Sequence, residues 1–125
     1  MKAKYTLPLA DPQAALEIVG GKGASLAKLA ASELPVPDGF HVTTAAYLEF
    51  VEANELQPAI LSALEGIDLA NPSSLESASE QINALFLRAS IPPGVAGEIV
   101  ETYSELPGSN PAVAVRSSAT AEDLP

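Results

Sequence analysis

Two short stretches of this sequence set a cation among small residues. VGGKGAS (residues 19–25) carries Lys22, and AVAVRSSATAEDLP (residues 112–125) carries Arg116. Glycines let a backbone approach a ligand closely and adopt positive φ. A helix beginning just after them, near Ala24, directs its free N–H groups at the same space, which favours an anion there. Lys22 adds a full positive charge. Arg116 follows four small apolar residues, AVAV, which read as a buried strand over 112–115. An arginine at a strand end sits where ligands gather in open α/β sheets. Its planar fork suits two-point contact with phosphate oxygens, and the hydroxyls of Ser117, Ser118 and Thr120 are placed to support it. Chemistry of this kind grips a small phosphorylated anion.

Neither stretch fits the common phosphate loops. A P-loop needs glycine where Leu16 stands and Ser or Thr directly after the lysine, where this chain has Gly23. A dinucleotide fingerprint needs a small residue where Leu26 stands. Taken locally, Lys22 equally fits a solvated lysine on a glycine turn. Arg116 equally fits an exposed pair with Glu122 or Asp123, an interaction worth little.

Composition narrows the classes. Sixteen Asp and Glu against six Lys and Arg give a net charge of −10. That balance repels an extended polyanion and argues against nucleic acid. A small anion needs only one or two well-placed cations. The 125 residues suffice for one small domain or part of a larger one, with 47% hydrophobic content to fill a modest core. No apolar run approaches the roughly 20 residues that span a bilayer, so no membrane partner is expected. A cytoplasmic location is the default for such a sequence. The absence of cysteine excludes disulfides and thiolate metal sites.

The elements that must position the two cations follow from pattern and punctuation. KYTLPL (4–9) reads as a short strand, and Asp11 with Pro12 reads as the cap and first residue of a brief helix. Gly20, Gly21 and Gly23 break that helix, and a second runs from Ala24 to about Ser32. A turn through LPVPDG enters a strand at Phe40, Val42 and Thr43, after which Thr44 caps a helix bearing Tyr47, Phe50 and Val51 on one face. A helix follows over residues 58–64, ending near Gly66. Ser73 and Glu76 form a capping box for a helix running to about Ala89. The last helix starts at Pro92-Pro93, turns Val95, Ile99, Val100 and Tyr103 inward, and stops at Leu106-Pro107-Gly108. The expected fold class is mixed α/β, several helices with a small sheet.

In this order, VGGKGASLAKL, VPDGFHVTTAAYLEF and AVAVRSSATAEDLP together resemble the N-terminal part of the phosphoenolpyruvate synthase and pyruvate phosphate dikinase family. The resemblance spans most of the chain, is weakest over residues 55–105, and is most specific in RSSATAEDLP. It implies that residues 1–125 are the first lobe of an ATP-grasp-like nucleotide-binding domain, a truncated fragment of a longer multidomain chain. It also implies that Lys22 and Arg116 contact the ATP phosphates, for transfer of a phosphoryl group to a histidine on another domain. Pyruvate and phosphoenolpyruvate would be handled by domains not present here, and the Mg2+ ligands would lie beyond residue 125. The full protein is then an ATP-dependent phosphotransferase, and the isolated piece is expected to be inactive. His41 matches no phosphocarrier motif and is expected to be structural. Glu122 and Asp123 invite assignment to a metal, although two acids in a loop are usually just solvated. Rifampin-type antibiotic phosphotransferases share the arginine segment, so a lobe of such an enzyme is one alternative. A non-catalytic acidic domain that binds a protein partner is the other.

Overall fold

The computed structural model describes residues 5–120. They form β1 (Thr6–Pro8), α1 (Leu16–Ala31), β2 (Phe40–Val42), α2 (Thr44–Ala53), α3 (Leu56–Glu65), α4 (Pro72–Arg88) and α5 (Pro93–Ser104). Five helices and a two-stranded sheet make this the mixed α/β class expected. The described chain divides into two compact units, one of residues up to Tyr47 and from Pro93 onward, the other Leu48–Pro92. No helix among the described residues is long and apolar enough to cross a membrane.

The first unit is built around an antiparallel pair in which Thr6, Leu7 and Pro8 face Val42, His41 and Phe40. Leu7, Ala14, Val19 and Ala27 form its buried cluster, with Ile18 and Ala24 packed against it. Alanine and glycine along one face of α1 let its backbone lie close to the strands. The opposite side of β1 is closed by a carboxylate from α5. Glu98 Oε2 accepts from the N–H of Tyr5 at 2.8 Å, the N–H of Thr6 at 2.6 Å and the Thr6 hydroxyl at 3.0 Å. With its proton given to Glu98, Thr6 Oγ1 accepts in turn from Thr102 Oγ1 at 2.8 Å.

That closure explains one departure from the expected strands. Residues 112–115 form no strand and are exposed, Val115 to 92%. A strand persists only where its backbone groups find a ladder. On β1 the N–H groups of Tyr5 and Thr6 are bound to Glu98 and Pro8 has none, so that edge has little to offer AVAV.

Three helix starts also differ from expectation, each because a nearer polar group competes. Asp11 does not cap α1. Its Oδ1 accepts from the N–H of Gln13 at 2.8 Å, a local bond that holds a turn and delays the helix to Leu16. Thr43, not Thr44, caps α2: the Ala46 N–H lies 3.0 Å from its carbonyl and 3.4 Å from its hydroxyl. Thr44 is instead the first helical residue, and its hydroxyl donates to the Glu17 carbonyl at 2.7 Å. For α4 the cap is Asn71, whose Oδ1 accepts from the N–H of Ser73 at 3.2 Å, with Pro72 at the first helical position. The Ser73 hydroxyl donates to the same oxygen at 2.7 Å, so it does not serve a box with Glu76.

In the second unit α3 packs on α4, burying Leu56 and Ala78. Phe50 stacks on Phe86 with centroids 5.9 Å apart. Asn54 ties the end of α2 to the segment after α4, donating to the Ser90 carbonyl at 2.8 Å and accepting from the Ser90 N–H at 3.1 Å.

The Glu98 contacts give a stability prediction. Glu98→Ala strands two backbone N–H groups at a closed strand edge and should cost about 2 kcal/mol in urea unfolding. A change within experimental error would show that water replaces the carboxylate without loss.

Candidate functional site

The glycine-lysine stretch and the arginine stretch meet. They do so at a kink in α1, where Gly20 leaves the helical region with φ 77° and ψ 174°. That conformation is open essentially only to glycine. The helix resumes at once, so Gly21, Lys22 and Gly23 are its first turn rather than a break, and the restart is earlier than the expected Ala24.

A restarting helix exposes new N–H groups without partners. Two of them are satisfied from far along the chain. The Gly21 N–H donates to the Ala119 carbonyl at 3.0 Å, and the Gly23 N–H donates to Ser118 Oγ at 2.9 Å. Ser118 Oγ donates in turn to the Val19 carbonyl at 2.7 Å, on the other side of the kink. Ser118 thus acts as an N-cap supplied from a distant segment, bonding the third residue of the new turn as a local capping serine does. A Cβ on Gly20 would lie 2.4 Å from Ser118 Oγ and 2.7 Å from the Ser118 carbonyl carbon and oxygen. Glycine is required at position 20 by backbone angle and by space alike.

The expected cradle of free backbone N–H groups is therefore partly filled by the protein itself. The amides of Gly21 and Gly23 are engaged, and the single proton of the Ser118 hydroxyl is given to Val19. Ser118 has no proton left to donate to a phosphate oxygen. These backbone groups are therefore not free to meet an anion. Lys22 is exposed on the first turn, between the two engaged glycines. Arg116 is exposed two residues before Ser118. It does not emerge from a buried strand, as the sequence led us to expect, but from the exposed segment beginning at Pro111. That segment is tethered at its start, where the Tyr103 hydroxyl donates to the Pro111 carbonyl. Ser117 and Thr120 are exposed.

His41 supports the kink from the sheet side. It is 7% exposed, its Nε2–H donates to the Leu9 carbonyl at 3.1 Å, and its Nδ1 faces Gly23, where a Cβ would approach it to 3.3 Å. The same Cβ would meet Val19 Cβ at 2.9 Å, so Gly23 is held small by packing. Glu122 and Asp123 lie outside the described residues, as do Lys2 and Lys4. Among the described residues no group of three or more His, Cys, Asp or Glu could hold a metal ion.

Serine 118 was legible only as a possible helper of Arg116. Its links to Gly23 and Val19, 95 and 99 positions away, left no local signal in the sequence.

Comparison with known proteins covers both stretches. The family described as "Pyruvate phosphate dikinase, AMP/ATP-binding domain" matches residues 16–125. A probable phosphoenolpyruvate synthase of Methanothermobacter thermautotrophicus is 39% identical over 112 residues, which is 86% of this chain and 16% of the relative. The phosphoenolpyruvate synthase of Aeropyrum pernix is 43% identical over 115 residues, covering 88% of this chain and 14% of the relative. A rifampicin phosphotransferase of Bacillus subtilis is 37% identical over 111 residues, covering 88% and 13%. The chain thus spans a sixth or less of the length of these relatives.

The two neighbouring glycines separate the effects. Gly20→Ala forces positive φ on alanine and pushes into Ser118, and should cost about 1–3 kcal/mol. Gly21→Ala meets nothing closer than 3.8 Å and should be neutral or stabilising, by up to about 1 kcal/mol. Thermal unfolding of both variants checks the contrast; equal effects would contradict the kink.

Proposed function

The chain belongs to the pyruvate phosphate dikinase AMP/ATP-binding domain family, and on that premise we propose that it is the first lobe of an ATP-grasp-like domain in a longer cytoplasmic dikinase of the phosphoenolpyruvate synthase kind. The relatives named phosphoenolpyruvate synthase support this reading over most of the chain. In it, ATP supplies the phosphoryl group, a histidine on another domain receives it, and pyruvate and phosphoenolpyruvate are bound by further domains.

The observation that carries the proposal is the junction of the Lys22 and Arg116 stretches through Ser118 and Ala119. Lys22 contributes a compact positive charge and Arg116 a rigid fork for two phosphate oxygens. Both residues are exposed, and their donor chemistry fits a triphosphate. Such groups act by holding phosphates in position and offsetting charge that builds up during transfer. A protein of net charge −10 opposes the approach of a polyanionic nucleotide, which makes cations at the site itself decisive. Mg2+ is part of the reading, with its ligands supplied from outside the described residues.

One relative supports a second reading. The likeness to rifampicin phosphotransferase fits the same lobe serving an enzyme that phosphorylates a small alcohol such as an antibiotic. Assaying the full-length protein with Mg-ATP and either pyruvate or rifampicin as acceptor separates the two.

Titrating Mg-ATP into the full-length protein tests the shared claim. Arg116→Ala and Lys22→Ala should each weaken binding by roughly tenfold or more, the scale of one lost charge-assisted contact. Undiminished affinity and turnover in either variant removes that residue from the site.

A further inference from the structure

We propose that Ser118 is a positioning residue for Arg116. The inference rests on the nucleotide reading above and extends it to a residue that does not itself touch the phosphates. Arg116 lies on a strap of irregular chain whose two ends are pinned. At one end the Tyr103 hydroxyl holds the Pro111 carbonyl. At the other, Ser118 Oγ joins both sides of the α1 kink, accepting from Gly23 and donating to Val19, while the Ala119 carbonyl takes the Gly21 N–H. Between the pins residues 112–117 are exposed and form neither strand nor helix. An arginine on such a span inherits its location from the pins, because no packing of its own fixes it. Ser118 is the closer pin, two residues away, and it holds the strap against the turn that carries Lys22.

The Ser118 hydroxyl contributes by placing rather than by binding. Its proton is committed to Val19, so the side chain cannot add a donor to a bound anion. Its loss should act through Arg116: the strap drifts, and the fork must be ordered again each time nucleotide binds. A Ser118 that merely caps a helix would alter unfolding and leave the coupling to Arg116 at zero.

A double-mutant cycle in the full-length protein separates these roles. Mg-ATP affinity is measured by calorimetry for the unaltered protein, Ser118→Ala, Arg116→Ala and the double variant. Ser118→Ala should weaken binding about five- to tenfold, the scale of one lost cap hydroxyl. In the Arg116→Ala background the same change should have no effect. Asn54→Ala, which removes bonds to Phe50 and Ser90 in the second unit and touches neither pin, should retain full affinity. Unchanged affinity in Ser118→Ala overturns the proposal, as does an equal loss with and without Arg116. Should Ser118→Ala not fold, Tyr103→Phe decides alone: it releases the other pin and must weaken ATP only while Arg116 is present. If Arg116→Ala itself binds ATP normally, the nucleotide reading of Arg116 fails first, a result distinct from failure of the coupling.

Discussion

One hydroxyl group holds together the parts of this chain that could do chemistry. Ser118 Oγ lies between a carbonyl that ends one helical segment and an amide that begins the next, donating to the carbonyl and accepting from the amide. A cap of this kind is worth about 1 kcal/mol. The bond also has reach, since it joins segments almost the full described length of the chain apart. Gly20 can turn through positive φ there because it has no side chain, and Ser118 can occupy the space for the same reason.

Consequences run outward from that point. The kink sets Lys22 on an exposed first turn, while Val19 and Gly23 on either side face inward to the sheet and His41. The sheet is kept in place by Glu98, which closes the free side of β1 and links it to α5. Helix α5 then carries Tyr103, which holds the start of the strap that ends at Ser118. A ring of contacts from α1 through the sheet to α5 and back along residues 111–119 therefore encloses the first unit.

Much of this was readable in the residues, for identifiable reasons. Pro93 and Gly66 mark helix boundaries because ring geometry and side-chain absence act locally, and the helices they bound lie within about two residues of where the pattern put them. Both strands appear at Leu7 and His41 because alternating apolar residues there needed a partner close at hand. The errors came where several polar groups competed for one helix end, as with Asn71 against Ser73, or Thr43 against Thr44. AVAV was misread because apolar character does not reveal whether a ladder awaits it. For the site, Gly20, Lys22, Arg116 and the segment of Ser118 all stood out by type. Their junction did not, since a hydrogen bond between residues 95 positions apart follows from the fold and not from neighbours in sequence.

Amide hydrogen exchange at Gly23 tests the junction most directly. The third residue of a helical turn has no intrahelical acceptor, so its N–H exchanges freely unless something outside the helix binds it. The Ser118 clasp predicts that the Gly23 amide is protected to the level of amides in the middle of α1. Exchange at the rate of an open first turn would mean that Ser118 is not bound there, and the two cation-bearing stretches would lose one of the bonds that join them.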